Sequence, residues 1–506
     1  MACLPPSSVS CRPLEHFLSA STGAIGTGGA HPQEGAMARR RDHSVIAEEQ
    51  HTGALKLFWI GGRCLGVVLG AVLLLATPRP TQAVGGTCGG TEVNCVTEWN
   101  KIAEETITVF LPQPRPFQNE GLIYMAYVSA AVYDAAVAIE GRYEPYGAGV
   151  TAPAGASADA AVVEAAYRTL IAYFPSQTSR LTTLYDASLA VIADGQSKSD
   201  GQAVGLAAAN LIIDSRDGDG RLTPIATSSS FPKKDEGPGV WRLTPPFAAP
   251  QTPWVGDVTP FILQSADQFR PDGPPSLQSA EWVEAFNEVK QYGGSSSDSR
   301  TPEQTATAAF WTANVIRQYN RALRDVVDTS SLSLVDSARL QAMVNIVGAD
   351  AQISVMNAKY HFLFWRPVTA IDPTAVTNDS YGPVPGVNDG NDATIEQVGW
   401  RPVGPGNTPN HPEYPAAHGS ITSAMAEVFS TFVGTNRFNL VVRGFNPATG
   451  NMDVVRTYST PAALRNEIVD ARVWAGFHYR FSGVAGVVLG RQVAKYDLRS
   501  AFRPIQ

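Results

Sequence analysis

Three short blocks in the C-terminal third of the chain carry residue types that can hold an oxyanion. The blocks are Lys359-x6-Arg366-Pro367, Pro415-Ala416-Ala417-His418 and Arg472-x3-Gly476-x-His478. Arginine bonds oxyanion oxygens in pairs through a planar fork of donors, and lysine adds a compact charge. One histidine of near-neutral pKa can act as a nucleophile or metal ligand while a second histidine transfers protons. The blocks therefore predict a site that binds a tetrahedral oxyanion and does chemistry on it.

The residues around His418 support this interpretation. Ala416 and Ala417 are small, so their backbone N–H groups can approach an anion, and the run 419–430 is typical of a helix that begins there. A single Lys or Arg is usually a solvated surface charge, and a single His is more often structural than catalytic. The order, spacing and flanks of the three blocks together favour the functional interpretation.

The blocks resemble the signature K-x6-R-P, P-S-G-H and S-R-x3-G-x-H of vanadium-dependent haloperoxidases and of the type 2 phosphatidic acid phosphatases that share their fold. The resemblance extends to the segments 126–136, 364–371 and 411–415, and so from about Val96 to the C-terminus. It implies an all-α fold in which a large helical-bundle domain carries long loops. It also implies a catalytic half, 257–506, preceded by an N-terminal helical half, 96–256, that the phosphatases usually lack.

The resemblance assigns a role to each matching residue. His478 would be the axial ligand of the vanadium in a haloperoxidase, or the phosphorylated nucleophile in a phosphatase. His418 would be the acid–base histidine, and the backbone N–H of Ala417 would contact the anion. The cofactor of the haloperoxidases is vanadate, and the residues that would bind its equatorial oxygens are Lys359, Arg366 and Arg472. Lys359 would also polarise the bound peroxide.

Two departures from the signature concern the affinity for vanadate. Ala416 and Ala417 replace the family's Ser-Gly, and Ala471 replaces the serine before the arginine. A lost hydroxyl donor to a charged oxygen costs roughly 1.5–3 kcal/mol, and the methyl group of Ala417 stands where the backbone approaches the anion. We therefore expect weaker vanadate binding rather than none, because all three cations and both histidines remain.

His411 bears on the choice of halide. It lies seven residues before His418, a position that tends to be histidine in bromoperoxidases and aromatic in chloroperoxidases. The resemblance therefore implies bromide or iodide rather than chloride. A loop histidine beside a proline is an equally good interpretation of the same residue.

Three functions compete. The first is oxidation of halide by hydrogen peroxide at a vanadate held by His478. The second is an acid phosphatase that acts on phosphate esters through a phosphohistidine at His478, and the third is a degenerate homologue without catalysis. Charged residues make up 17% of the chain and the net charge is −8, without a basic cluster, which argues against a nucleic-acid partner. The oligomeric state has no sequence signal.

Residues 1–83 are predicted to be a disordered leader and a signal peptide, with either Met1 or Met37 as the start. The apolar core 65–76 precedes a plausible cleavage point near Ala83, which predicts a secreted or extracytoplasmic protein. The rival interpretation is an uncleaved membrane anchor over 57–76, the only segment that predicts a membrane partner. Cleavage would leave Cys88 and Cys95, a spacing that suits a local disulfide.

The elements that must position the blocks are helices. Apolar residues recur every three or four positions, with alanine-rich faces that suit a bundle. The predicted helices are 96–110, 121–139, 158–174, 179–192, 201–213, 258–269, 280–291, 302–327, 334–361, 420–432, 461–481 and 484–500. Residues 214–220 are predicted to be a helix-terminating turn rather than a calcium loop.

The order of the helices raises two questions about the site. Arg472 and His478 would lie on different sides of a continuous helix, so a bend at Gly476 is expected to bring them together. The loop 221–256 is expected to cover the site entrance. The aromatic residues near the blocks predict either ordinary core or, less favoured, the wall of a dry entrance: Phe362, Phe364, Trp365 and Trp400.

Overall fold

The structure is a computed structural model that describes Cys88 and residues 94–109, 118–222, 237–244, 249–375, 388–404 and 408–505. The predicted leader and its cleavage site lie outside these residues. In the described part the longer helices are α1 (Cys95–Val109), α2 (Gln118–Glu140), α3 (Ala158–Tyr173), α4 (Thr178–Ala190), α5 (Gln196–Ser215), α6 (Ala280–Gly293), α7 (Pro302–Phe310), α8 (Val315–Ser330), α9 (Leu334–Phe362), α10 (Pro367–Ile371), α11 (Ala417–Val433), α12 (Pro461–Trp474) and α13 (Arg480–Ser500). Short 3-10 helices cover Pro175–Gln177 and Pro253–Asp257.

The predicted helical bundle is confirmed. α2 packs against α3 and α9, while α11 packs against α9, α12 and α13. The side chains of α2 are mostly Ala, Val and Tyr, so neighbouring helices approach it on all sides. α2 is long and apolar enough to cross a membrane by length and composition, but 89% of its most apolar stretch is buried inside the protein, as in a core helix.

Glycines let α13 lie close to the beginning of α11. A Cβ atom on Gly486 would stand 2.3 Å from the carbonyl oxygen of Ala416, and one on Gly490 would stand 1.9 Å from that of Ser420. Real Cβ atoms do not come so near to a backbone oxygen, so only glycine permits this packing. The contact holds the first turn of α11, which carries His418, against the helix that follows His478.

The helices predicted over 258–269 and 302–327 are wrong. Residues 258–269 form an irregular segment, because the backbone N–H groups of Phe261, Ile262 and Leu263 donate to the Asp350 carboxylate at 2.7, 2.8 and 3.1 Å instead of to a helix. The helix predicted over 302–327 is two helices. α7 ends at Phe310, and the side chain of Asn314 starts α8 by accepting the N–H groups of its first turn.

An antiparallel hairpin was not predicted. It consists of β1 (Leu440–Asn446) and β2 (Asn451–Tyr458), with Leu440 opposite Tyr458. One face of β1 is buried and β2 is largely exposed. The alternation of β1 is short and only β1 has a buried face, so periodicity along the chain gives little signal for this hairpin.

The helix predicted over 461–481 ends at Trp474, and α13 begins at Arg480. Gly476 lies between them at φ +77°, and a Cβ atom there would stand 2.5 Å from the carbonyl oxygen of Gly293. Glycine is therefore required both for the left-handed backbone and for the close approach of α6. The predicted bend at Gly476 is confirmed.

Two smaller predictions concern turns and cysteines. α5 ends at Ser215, and the following turn is closed by Arg216 and Asp219, whose side chains form an ion pair at 3.0 Å. This confirms a helix-terminating turn. Cys88 and Cys95 are both buried and lie within hydrogen-bonding reach of each other, but they are free thiols in the structure, so the predicted disulfide is not formed.

Candidate oxyanion-binding site

The three blocks lie at the ends of four helices that meet in the C-terminal half. Lys359 is in the last turn of α9, Arg366 directly precedes α10 and Arg472 is in the last turn of α12. His418 is the second residue of α11, and His478 lies in the connection between α12 and α13. Lys359 and Arg366 are fully buried, and Arg472 and His478 are each 2% exposed. Burial of three cations with few carboxylates indicates a site for an anion.

Arg366 joins two of these blocks to His411. Its Nε donates to the backbone oxygen of His411 at 3.0 Å, and Nη1 donates to that of Phe477 at 2.9 Å. Nη1 also lies 3.2 Å from Nε2 of His478, and Nη2 lies 3.0 Å from Nδ1 of His411. A guanidinium only donates, so Nε2 of His478 is an acceptor. The lone pair of His478 Nε2 therefore faces the cations. Nδ1 of His411 also lies 3.1 Å from the carbonyl oxygen of Pro412, which only accepts, so the role of this nitrogen depends on the tautomer.

Lys359 is anchored by two backbone oxygens. Its Nζ donates to the carbonyl groups of Pro412 at 2.8 Å and Glu413 at 2.9 Å. Burial, and secondarily the charge of Arg366, hold the pKa of Lys359 well below its ordinary value. An ammonium has three protons, so these two contacts leave one for a bound anion. An anion at this position would favour the charged lysine.

Glu413 is a site residue that sequence reasoning missed. Its Oε1 lies 2.8 Å from Nδ1 of His478 and accepts the backbone N–H of Tyr479 at 3.1 Å. The side chain is fully buried, and this burial raises the pKa of Glu413 to about 7 although Lys359 and Arg366 lower it. The contact joins residues 65 positions apart, so no local spacing predicts it. The only sequence signal is a carboxylate five residues before His418.

Among the cations and histidines of the three blocks, two buried nitrogen atoms lack a hydrogen-bond partner, Nε of Arg472 and Nε2 of His418. Arg472 donates through Nη1 to the carbonyl of Trp311 at 3.3 Å, and its guanidinium lies 5.0 Å from the centre of the Phe477 ring. A buried polar atom without a partner costs free energy. Both atoms are therefore suited to contact a bound oxyanion or its ligands.

The charges of the site are set by mutual repulsion and burial. Burial, and then Arg366, lowers the pKa of Arg472 to about 9, so the guanidinium remains protonated at neutral pH. Burial lowers the pKa of His418 and of His478 well below the ordinary histidine value, and the nearby cations lower both further. Both imidazoles are therefore neutral, as a ligand and a proton acceptor must be.

Ala416 and Ala417 begin α11 beside His418. Ala416 precedes the helix and makes no side-chain cap, and its N–H donates to the backbone of Ser482 at 3.0 Å. The first N–H groups of a helix have no intrahelical acceptor and carry a partial positive charge. The beginning of α11 thus suits an anion even without the family's serine and glycine.

The predicted aromatic flank is core. Phe364, Trp365 and Trp400 are buried in one apolar cluster with Trp282, and Phe362 packs against it. The cluster supports the segment that carries Arg366. Part of the loop predicted to cover the entrance contacts the site's edge, because Thr244 and Gln251 bond Asn410, the residue before His411.

The residues fit a small dianion. Lys359, Arg366 and Arg472 supply three positive charges when protonated, Glu413 supplies one negative charge when ionised, and the imidazoles are neutral. Nε2 of His478 carries no proton, so this nitrogen can donate its lone pair to a metal or phosphorus centre. Vanadate combines both properties, an oxyanion and a metal that one histidine can ligate.

Comparison with known proteins supports the same conclusion. Residues 339–506 match the family model of the second helical-bundle domain of vanadium chloroperoxidase. The vanadium chloroperoxidase of Curvularia inaequalis is 24% identical over 327 residues, 52% of this chain, and the match spans 50% of that protein. This chain therefore covers about half the length of that curated relative.

Solved structures share the fold across most of the chain. A bacterial vanadium-dependent iodoperoxidase superposes with a TM-score of 0.63 and 20% identity, over 82% of this chain and 99% of that one. A bacterial vanadium-dependent chloroperoxidase in its holo form superposes with a TM-score of 0.59 and 15% identity, over 79% and 96% of the two chains. Residues 339–506 therefore match the second helical-bundle domain of vanadium chloroperoxidase, and the chain shares the fold of the bacterial vanadium-dependent haloperoxidases.

Proposed function

We propose that this protein is a vanadium-dependent haloperoxidase that oxidises halide with hydrogen peroxide at a vanadate held by His478. The observation that carries the proposal is the bare Nε2 of His478, 3.2 Å from Nη1 of Arg366 in a buried site with two further cations. An incoming oxyanion would replace that imidazole as the acceptor for Arg366. The imidazole would then be released to ligate the metal.

The chain's own residues bind and orient the anion. Vanadate, when bound, supplies a Lewis-acid centre that activates hydrogen peroxide toward halide without changing its oxidation state. Lys359, Arg366 and Arg472 would hold its oxygens and stabilise their charge. His418 is neutral and has a buried Nε2 without a partner, so it can accept a proton from an incoming peroxide.

His411 supports a preference for bromide or iodide. Its ring packs against Arg366, with Nδ1 lying 3.0 Å from Nη2 of Arg366 and 3.1 Å from the carbonyl oxygen of Pro412. Burial, and then Lys359 and Arg366, lowers its pKa well below the ordinary value, so the ring is neutral. A neutral imidazole gives a polar, uncharged surface beside the cations, where a large polarisable halide could approach.

An acid phosphatase is the second candidate, and the hydrogen bond between Glu413 and His478 favours it. A carboxylate on Nδ1–H makes Nε2 a better nucleophile toward phosphorus. Nε2 would form the N–P bond while the ester P–O bond breaks, and His418, protonated by the hydroxyl of the incoming phosphate monoanion, would give that proton to the leaving alcohol. Water would then cleave the phosphohistidine. The intact histidine pair argues against a degenerate homologue.

One experiment separates the candidates. The purified protein is dialysed against vanadate and assayed for bromination of a phenol with hydrogen peroxide, and separately for p-nitrophenyl phosphate hydrolysis without vanadate. We expect vanadate-dependent bromination that His478→Ala reduces by at least about 1000-fold, because the metal ligand is lost. His361→Ala, an exposed histidine on α9, is the matched control and should retain full activity.

Other outcomes select other functions. Hydrolysis without bromination would identify a phosphatase. Neither activity, together with an unchanged vanadate affinity in His478→Ala, would leave only the non-catalytic homologue.

We also propose that the mature enzyme acts outside the cytoplasm after cleavage near Ala83. The apolar core at 65–76 and the small residues after it support this proposal. N-terminal sequencing of the protein recovered from a secreting host tests it, and a start upstream of residue 65 in the mature protein would contradict it.

A further inference from the structure

Glu413 is the carboxylate closest to the reactive histidine, and its hydrogen bonds are selective. Oε1 contacts Nδ1 of His478 at 2.8 Å and the backbone N–H of Tyr479 at 3.1 Å. Lys359, the neighbouring cation, donates to the backbone oxygen of Glu413 at 2.9 Å rather than to its carboxylate. Oε2 is buried without a hydrogen-bond partner. The carboxylate is thus directed at the imidazole rather than at the cations.

The two ring nitrogens of His478 have opposite roles. Arg366 can only donate, so Nε2 must be the acceptor in the 3.2 Å contact with Nη1. The proton of the neutral ring is then on Nδ1, where Oε1 of Glu413 accepts it at 2.8 Å. The same carboxylate also holds Tyr479, the next residue, through its backbone. Arg366 and Glu413 therefore favour the same tautomer of His478, and Glu413 also holds the orientation of the ring.

We propose that Glu413 is a positioning residue that holds His478 with its Nε2 lone pair toward the anion and increases the electron-donating strength of that nitrogen. The inference rests on the proposed function, because it concerns the bond that His478 would make to vanadium. Carboxylate partners of metal-ligating histidines fix the tautomer and raise ligand basicity. Glu413 does not contact the anion itself.

A purely structural carboxylate predicts something different. A buried ion pair would place both carboxylate oxygens on cations, whereas here one oxygen serves the imidazole and the other has no partner. Loss of a structural ion pair would also weaken all anion binding alike. The positioning role predicts opposite effects on two anions of the same shape.

The test compares inorganic phosphate with vanadate in Glu413→Gln, with affinities measured by calorimetry and competition. Glutamine keeps the shape but removes a negative charge, so phosphate, held by charge alone, should bind severalfold more tightly. Vanadate should bind about 10- to 100-fold more weakly, as for other outer partners of metal ligands. Glu413→Asp keeps the charge but withdraws the carboxylate, so vanadate should weaken while phosphate stays near wild type.

The tautomer is read directly from imidazole ¹⁵N chemical shifts of the protein without anion, with the His478 signals assigned by their loss in His478→Gln. The wild type should show a protonated Nδ1 and a bare Nε2, and Glu413→Gln should show a mixture. Glu427→Gln is the matched control, because Glu427 pairs with Arg465 and Arg491 at 2.9 Å on α11 outside the site. It should change neither anion affinity nor tautomer.

Parallel shifts of phosphate and vanadate affinity in Glu413→Gln, or an unchanged His478 tautomer, would overturn the positioning role. Failure of the proposed function looks different. In that case the wild type binds vanadate no more tightly than phosphate, while the ¹⁵N spectrum still reports whether Glu413 sets the tautomer. Far-UV circular dichroism tests whether each variant is folded. If Glu413→Gln is unfolded, Glu413→Asp takes its place in the comparison of vanadate with phosphate.

Discussion

At the residue scale, the site places three cations close together in a buried environment. Burial is the largest cause of the lowered pKa of Lys359, Arg366 and Arg472, and repulsion from Arg366 adds to it for Lys359 and Arg472. Such an arrangement is unfavourable until an anion is bound. A bound dianion would offset the repulsion between the cations, and this gain would add to the free energy of anion binding.

The small residues before His418 give a prediction at this scale. Ala416→Ser restores the donor that the family signature has, and a hydrogen bond to a charged oxygen contributes roughly 1.5–3 kcal/mol. We expect vanadate to bind about 10- to 100-fold more tightly, measured by equilibrium dialysis. An unchanged affinity would mean that this side chain does not reach the anion.

A second effect of Ala416→Ser must be separated from the first. Ala416 precedes α11 without a side-chain cap, so serine there would also cap the helix, by about 1 kcal/mol. Thermal unfolding without vanadate measures the cap alone. Only a further increase in the unfolding temperature on adding vanadate, beyond that of the wild type, reports the anion contact.

At the element scale, the connection between α12 and α13 decides whether Arg472 and His478 meet. Six residues of continuous helix would separate them, but α12 ends at Trp474 and the backbone turns at Gly476. The backbone N–H of His478 lies 3.3 Å from the carbonyl oxygen of Arg472. The turn thus brings His478 back to Arg472.

Replacing Gly476 tests this connection. Gly476→Ala adds about 1–2 kcal/mol of backbone strain at φ +77°, and its Cβ atom would also meet the carbonyl oxygen of Gly293 at 2.5 Å. We expect a destabilised protein whose vanadate affinity falls at least about 10-fold, since small displacements at such sites are costly. Chemical denaturation and equilibrium dialysis measure the two effects.

The matched control is Gly450→Ala in the turn of the hairpin. Gly450 has φ +71° but nothing within 4 Å of a Cβ position, so it adds strain without a clash. It should lower stability by about 1–2 kcal/mol and leave vanadate binding unchanged. Equal loss of vanadate binding in both variants would show that strain alone, rather than the position of the connection, weakens the site.

At the scale of the whole molecule, two buried acids lie on the helices that flank the site, α9 and α13. Asp350 lies in the middle of α9 and Asp497 near the end of α13, and both are fully buried. Burial raises the pKa of Asp350 to about 6, although three backbone N–H groups and Arg216 lower it. Burial, and then Asp350, raises the pKa of Asp497 well above its ordinary value, and neither carboxylate oxygen of Asp497 has a hydrogen-bond partner.

The sign of the resulting pH dependence follows from proton binding. Above pH 3.8, the ordinary value for Asp, an unfolded chain loses these protons while the native protein retains them, so stability falls as pH rises. For Asp350 the loss of folding stability is about 3 kcal/mol, and it is complete once the pH is above the native pKa of about 6. For Asp497 the loss continues to higher pH.

Asp497→Asn should remove the part of this stability loss that occurs at higher pH, above the native pKa of Asp350. The variant should unfold at a higher temperature than the wild type at pH 8, and the difference should shrink toward pH 4, as measured by calorimetry. Asp453→Asn, an exposed residue of β2, is the control and should give nearly the wild-type profile. A wild-type stability that rises between pH 6 and pH 8 more than in Asp497→Asn would contradict the assignment.

Prediction from sequence succeeded where the signal was local and periodic. α2, α3, α9, α11 and α13 follow the spacing of apolar residues along the chain, and their bounds agree within a few residues. It failed at 258–269, where the backbone bonds a distant carboxylate, and at 302–327, where one Asn starts a new helix. The hairpin was missed because its alternation is short and only one of its strands is half-buried.

The sequence by itself determined the chemistry available to this protein: three cations, two histidines and a glycine, at spacings that resemble the signature shared by the haloperoxidases and the type 2 phosphatases. It also determined most of the helices, through the periodic spacing of apolar residues. Only the tertiary structure decided which nitrogen of His478 is bare, that Arg366 binds both His411 and His478, and that Glu413 belongs to the site. The physical reason is that residue type and local spacing are encoded along the chain. A tautomer, a desolvated charge and a contact across 65 residues arise only when separate helices bury the same small volume.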